Sequence, residues 1–217
     1  MKTNNLKKLK IGDLTTELPI IQGGMGIGIS LSGLASAVAN EGGIGVIATA
    51  VIGMNEPDLH TNFLEANIRA LRKEIRKARE SSKGIIGVNI MVALSNFADL
   101  VRTAIEEGID IIFSGAGLPL NLPQFVDSTT KTKLVPIVSS SRAAGIIAKK
   151  WSATYNRLPD AVVVEGPLAG GHIGFKEQTI NDPEYSLEKL VPEVIQVLKP
   201  FEERYEKRIP VIAAGGI

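Results

Sequence analysis

Only two histidines occur in the 217-residue chain, and one of them lies in the glycine-rich stretch VVVEGPLAGGHIGF at 162–175. The β-branched residues at its start predict a strand, so His172 follows a strand end, in a turn that offers little to pack against. An imidazole can take or give a proton near neutral pH. We therefore interpret His172 as a proton-transfer residue, whereas His60, in NEPDLHTNF, reads as structural.

Glycines and an amide follow other apolar runs. The stretch QGGMGIG at 22–28 lets backbone N–H groups approach a flat or anionic ligand without obstruction by side chains. Asn89, in GVNI, carries an amide that both donates and accepts hydrogen bonds, although a structural bond to a neighbouring loop would also explain it. The glycine pair in AAGGI at 213–217 is typical of a phosphate-binding turn.

Several chemistries are excluded by composition. The chain has no cysteine, which rules out disulfides, thiolate metal sites, iron–sulfur clusters and a thiol nucleophile. The motifs G-x-x-x-x-G-K-[ST], H-E-x-x-H and G-x-S-x-G do not occur, and two distant histidines predict no metal site. With 24 basic and 23 acidic residues, no net field favours nucleic acid or a membrane surface. We expect a cytoplasmic protein, since neither a signal peptide nor a membrane-spanning run is evident.

The elements that position these residues alternate along the chain. Continuous apolar runs predict seven strands, at 19–23, 44–49, 85–90, 109–115, 134–138, 161–166 and 209–216. Helical periodicity predicts helices at 32–40, along the stripe from Leu64 to Ile75, and at 96–107, 121–127, 141–150 and 186–205. The basic residues beside that stripe are read as a solvated helix face.

Strands that alternate with helices indicate parallel βα units in an α/β fold. An open dinucleotide-binding sheet should show G-x-G-x-x-G/A, but counting from Gly24 or Gly26 the third position is Ile29 or Leu31. A (β/α)8 TIM barrel explains more, because its strand ends meet at one face. Polar or glycine residues occupy most of these ends, at Gln22, Thr49, Asn89, Ser114, Ser139, Glu165 and Gly215. We expect one domain over 1–217, incomplete at the C-terminus, with the eighth βα unit missing.

Five motifs in this order resemble the nitronate monooxygenase (2-nitropropane dioxygenase) family, which includes flavin-dependent enoyl-acyl-carrier-protein reductases. They are PIIQGGMGIG, GVNIM, GAGLP, VVVEGPLAGGHIG and IPVIAAGGI, spread from position 19 to position 217. The resemblance implies an FMN-dependent (β/α)8 barrel in which His172 is catalytic. It also implies a set of cofactor-binding residues, namely Gln22, Gly23, Gly24, Met25, Asn89, Glu165, Gly171, Gly215 and Gly216.

Two reactions are compatible with this resemblance. A nitronate monooxygenase would use His172 to remove the α-proton of a nitroalkane, and FMN and O2 would complete oxidation to a carbonyl compound and nitrite. An NAD(P)H-dependent enoyl-thioester reductase would use the same histidine to protonate the α-carbon. A barrel that binds a phosphorylated ligand without catalysis is the alternative outside enzymes. We expect a small-molecule substrate, and a homodimer is left open.

One departure bears on the substrate. Members of the family often read E-G-x-E-[SA]-G-G-H, whereas this chain reads EGPLAGGH, with Leu168 at the position of the second acid. That change removes a charge partner for His172. The segment at 176–185 and the helix predicted after it lengthen the loop, which suggests a lid or a partner contact.

Overall fold

The computed structural model describes residues 6–216, which divide into two compact units. The first unit holds residues up to 113 together with 125–133, and the second holds 114–124 and the residues from 134 onward. The strands β3 to β8 are hydrogen-bonded in chain order, as expected of successive βα units in a partial (β/α)8 barrel. The fold class is therefore confirmed as α/β.

The first unit begins with a hairpin and continues with βα units. Its elements are β1 (Leu9–Ile11), β2 (Leu14–Thr16), α1 (Ser32–Asn40), β3 (Ile44–Ala48), a 3₁₀ helix (Ile52–Asn55), α2 (Phe63–Ser81), β4 (Ile85–Met91), α3 (Phe97–Glu106) and β5 (Ile111–Gly115), whose last residues belong to the second unit. Strands β3 and β4 are parallel, and Ala48 pairs with Asn89. This pairing brings the ends of two strands level.

Helix α1 covers one face of β3. A Cβ at Gly45 would overlap the carbonyl oxygen of Ala35, so glycine is the residue that lets helix and strand approach this closely. Because side chains alternate along a strand, Ala48 and its partner Asn89 lie on the opposite face. The predicted solvated face of α2 is exposed, and two of its arginines also form ion pairs with the end of α3: Arg72 pairs with Glu106 and Arg76 with Glu107.

The second unit contains the remaining parallel strands. Its elements are β6 (Lys133–Val138), whose first residue belongs to the first unit, α4 (Ser141–Tyr155), β7 (Val162–Glu165), 3₁₀ helices at Glu177–Thr179 and Pro183–Tyr185, α5 (Leu187–Tyr205) and β8 (Val211–Ala214). Strand β7 pairs in parallel with β6 and with β8. Trp151 of α4 is fully buried, and its indole N–H donates to the carbonyl of Pro119 at 3.0 Å.

Two predicted elements and one missed element need correction. The run at 19–23 is not a strand: Ile21 forms a single bridge to Ile44, because Pro19 and the glycines after Gln22 leave too little chain to pair. Seven strands are therefore not confirmed: within residues 6–216 the sheet has six of them. The helix at 121–127 is only a 3₁₀ turn, Leu122–Phe125, with a proline inside it. The hairpin β1–β2 was missed, although its Gly-Asp turn is a known signal.

The other predicted strands and helices are confirmed, although α2 continues to Ser81 and α4 to Tyr155, beyond the predicted 75 and 150. Among residues 6–216, no helix is both long enough and apolar enough to cross a bilayer.

Candidate functional site

The predicted site residues lie at strand ends and in the turns and loops beside them, in both units. We call Gln22–Met25, Ser30 and Asn89 the first-unit cluster. We call Ser139, Glu165, Leu168–His172 and Gly215–Gly216 the second-unit cluster.

The side chain of Gln22 holds the turn that begins with it. Its amide nitrogen donates to the Ser30 hydroxyl and to the Val46 carbonyl, each at 2.9 Å, and its oxygen accepts from the Val46 N–H at 3.4 Å. The buried Ser30 hydroxyl in turn accepts from the Met25 N–H at 3.0 Å and donates to the Gly23 carbonyl at 3.2 Å. Gln22 therefore fixes the glycine-rich turn against β3.

Ser30 is a residue that sequence reasoning missed. Nothing in GIGISLSG distinguishes it from an ordinary loop serine. Its role depends on contacts that only the fold creates.

Asn89 and Gly24 are brought into contact. A Cβ at Gly24 would lie 2.5 Å from the Cβ of Asn89 and 3.4 Å from its amide nitrogen. The backbone carbonyl of Asn89 accepts from the N–H of Thr49 at 3.1 Å and from its hydroxyl at 2.9 Å. Within residues 6–216, by contrast, no group hydrogen-bonds the half-buried side-chain amide of Asn89. The structural bond is thus made by its backbone, and its amide is free to meet a ligand.

Gly23 faces open space. It does not adopt a left-handed conformation, and a Cβ built there would meet nothing within 4 Å. Neither conformation nor packing within the described chain therefore requires glycine at this position. A ligand surface lying against the turn would require it, and Met25 beside it is also exposed.

Glu165 closes β7 in the second unit. It pairs with Ala214, and the N–H of Gly166 donates to the Ala214 carbonyl at 2.9 Å. A Cβ at Gly166 would point at Leu187 of α5, 2.8 Å from its Cγ, so strand alternation places Glu165 on the face away from α5. Burial raises the pKa of the Glu165 carboxyl. Within residues 6–216, no hydrogen bond or ion pair engages this carboxyl.

The turn after β8 packs against the loop after β7. Gly215 and Gly216 have φ of 88° and 84°, a left-handed conformation that favours glycine. A Cβ at Gly215 would lie 2.6 Å from the Cβ of Ala169, and a Cβ at Gly216 would lie 2.7 Å from the Cβ of Leu168. Backbone and packing thus both require this glycine pair, which lies beside the histidine-bearing loop.

His172 is exposed on that loop. Gly171 before it has φ of 84°, and a Cβ at Gly174 would lie 2.6 Å from the hydroxyl oxygen of Ser139 at the end of β6. The segments after β6, β7 and β8 therefore meet within the second unit. An exposed imidazole among glycines can exchange a proton with a bound molecule. Within the described residues, no cluster of acids and histidines is placed to hold a metal ion.

Residues 7–217 match the family model described as nitronate monooxygenase, and the chain belongs to this family of oxidoreductases. It is 29% identical over 203 residues to an indene-carboxyl-CoA dehydrogenase of Mycobacterium tuberculosis. The aligned region covers 92% of this chain and 46% of that protein. It is 23% identical to a probable nitronate monooxygenase of Staphylococcus aureus, over 94% of this chain and 59% of that protein. The chain thus spans about half the length of the curated relatives it matches.

Two solved structures share the fold. FabK from Thermotoga maritima superposes with a TM-score of 0.66 at 30% identity, over 93% of this chain and 52% of that one. Nitroalkane oxidase from Streptomyces ansochromogenes superposes with a TM-score of 0.69 at 20% identity, over 93% of this chain and 59% of that one. The latter likeness concerns the fold alone.

Proposed function

We propose that this chain is an FMN-dependent oxidoreductase of nitronate monooxygenase type, which oxidises alkyl nitronates or nitroalkanes with O2 to carbonyl compounds and nitrite. The observation that carries the proposal is the contact between Gly24 and Asn89, with an amide that no described group engages. Membership of the family supports the reaction class.

The first-unit cluster fits a flavin ring. The ring is flat and presents both N–H and C=O groups at its edge, and the amide of Asn89 can pair with either. The open space beside Gly23 suits a planar surface, and Gly24 and Met25 would line the same ring. Gln22 would stand beside them, its own amide holding the turn.

The second-unit cluster fits a phosphate and a proton-transfer step. Backbone N–H groups in a left-handed glycine pair form an anion-binding turn, which we assign to the FMN phosphate at Gly215 and Gly216. Glu165 and Gly171 are assigned to the same cofactor site. When bound, FMN would supply the electron-accepting chemistry.

In this proposal His172 acts as the base. Its neutral imidazole would remove the α-proton of a nitroalkane, and the electron pair of that C–H bond would move toward the nitro group. A preformed nitronate has already lost this proton. The reaction of a nitronate should therefore not require His172.

A second candidate is an NAD(P)H-dependent enoyl-thioester reductase. It is favoured by the Mycobacterium tuberculosis relative, whose name specifies a carboxyl-CoA, a thioester of the class this reaction requires. His172 would then protonate the α-carbon. The apolar Leu168, exposed where the family often has an acid, is compatible with an acyl group.

Three assays on the purified protein separate the candidates. Bound FMN would give absorption bands near roughly 370 and 450 nm, since the flavin carries the chemistry. Nitrite release from a nitroalkane supports the monooxygenase, and NAD(P)H consumption that depends on crotonyl-CoA supports the reductase. Flavin binding without either activity would overturn both and leave a ligand-binding barrel.

A further inference from the structure

Glu165, assigned above to the proposed cofactor site, carries a carboxyl group that no described residue engages. It is half-buried at the end of β7, and within residues 6–216 no donor or cation pairs with it. Its neighbours across the sheet are uncharged: Ala214 pairs with it on β8, and Ser139 follows Val138, the β6 partner of Val164. A half-buried carboxyl at a strand end, with no partner in the fold, is a candidate for contact with a ligand.

The surroundings of Glu165 favour its neutral form. It is the only acid between Asp160 and Glu177. The titratable groups of the loop that follows are His172, Lys176 and Glu177, and those at the start of α5 belong to the helix that covers the opposite face. Burial raises the pKa of Glu165, so the protonated carboxyl persists to higher pH than in water.

A neutral carboxyl has an O–H group that a carboxylate lacks. Such a group, kept protonated by apolar surroundings, can donate a hydrogen bond to an oxygen that gains negative charge during a reaction. Both candidate reactions create such an oxygen. In one it belongs to the nitro group, and in the other to the thioester carbonyl.

We propose that Glu165 is a further catalytic residue, whose O–H group donates a hydrogen bond to the substrate oxygen on which negative charge develops. In the nitroalkane reaction, His172 takes the α-proton, the C–H electron pair forms the C=N bond, and the negative charge moves onto the nitro oxygens. Glu165 keeps its proton and shares it in the hydrogen bond. This role rests on the proposed function and applies to either substrate class.

The first test measures binding without turnover. Butyrate is the probe, because its carboxylate has the planar, anionic shape of a nitronate, and calorimetry in two buffers reports proton uptake. At a pH where Glu165 of the free protein is ionised, we expect wild type to take up a proton when it binds butyrate, and its Kd to weaken about tenfold between roughly pH 5 and pH 8. Glu165→Gln should bind without proton uptake and with a Kd that does not follow pH. Identical pH dependence in both proteins would overturn the proposal.

The second test measures catalysis with the FMN-loaded protein. Glu165→Leu should lower kcat/KM about tenfold to a hundredfold, the usual cost of one lost oxyanion donor. Glu165→Gln keeps an N–H donor, so it should retain most of the activity. Because glutamine does not ionise, this variant should also lack the fall in kcat/KM that wild type shows as Glu165 ionises at higher pH. Glu177→Gln, an exposed acid in the same loop, is the control and should match wild type.

The outcomes separate this proposal from the proposed function. If wild type turns over neither nitroalkane nor thioester, the proposed function fails, while the butyrate measurement still reports on Glu165. If turnover is present but Glu165→Leu only weakens FMN binding and leaves kcat/KM of the loaded protein unchanged, the residue serves the cofactor alone and does not act on the substrate. That result would overturn the catalytic role.

Discussion

The backbone of Gly24 lies directly against the side chain of Asn89, so closely that a Cβ at position 24 would fall 2.5 Å from the Asn89 Cβ. This contact joins the turn before α1 to the end of β4. It orients an amide that no described group engages.

Gly24 and its neighbour Gly23 form a matched pair for mutation. Gly24→Ala must displace Asn89, so we expect it to lower the free energy of unfolding by about 1–3 kcal/mol. The added methyl group of Gly23→Ala meets open space and should change the free energy of unfolding by less than about 0.5 kcal/mol. The same variant should bind FMN about tenfold more weakly. Urea unfolding followed by circular dichroism, together with flavin titration, tests both. Unchanged FMN affinity in Gly23→Ala would argue against a ring at this turn.

The amide of Asn89 can be separated from its backbone role. Asn89→Ala removes an amide with no described partner, so the free energy of unfolding should change little. The affinity for FMN should fall about tenfold, because the amide would no longer bind the flavin. Thr49→Val is the control, because it removes the 2.9 Å hydroxyl bond to the Asn89 carbonyl and should cost about 1 kcal/mol of stability without affecting FMN. If Asn89→Ala instead lowered stability and left the affinity for FMN unchanged, the amide would be structural.

Removal of the imidazole at 172 should affect only one substrate form. His172→Ala should retain FMN and lose about 10²–10⁴-fold in turnover of neutral nitroalkanes, the usual contribution of a general base. Preformed nitronates should react at nearly the wild-type rate, because their α-proton is already gone. His60→Ala, also at an exposed position, is the control. Equal losses on both substrate forms would contradict the assigned base.

The carboxyl of Glu165 should make stability depend on pH. Its pKa is raised in the folded state by burial, so its contribution is fully favourable below the unfolded pKa and is lost as pH rises through the folded pKa. Glu165→Gln cannot ionise, and we expect it to be more stable than wild type near pH 7 but equally stable near pH 4. Urea unfolding of the FMN-free protein at both pH values measures this difference. A constant difference across pH would mean that ionisation of Glu165 is not involved.

Continuous β-branched runs such as 162–164 allowed most strands to be predicted, because a strand buried on both faces needs no alternation of polar residues. The segment at 19–23 is similarly apolar, but a proline at its start and glycines at its end limit its pairing to a single bridge. The apolar pattern alone does not show that these residues prevent a strand.

The positions of Asn89, Glu165 and Gly215 at or just after strand ends could be predicted, but the partners of the candidate site residues could not. The bonds of Gln22 to Ser30 and Val46 depend on how the turn folds back onto β3. The unpaired state of Glu165 depends on which residues of β6 and β8 lie beside it. Both are consequences of long-range register, which a single sequence does not encode in any local pattern.

Trp151 is the only tryptophan in the chain, and it is sealed within the second unit with its indole N–H bound to Pro119. Its fluorescence emission is therefore an intrinsic reporter of that unit. Comparing this signal with circular dichroism, which averages over the whole chain, would reveal whether the two units unfold together or in sequence.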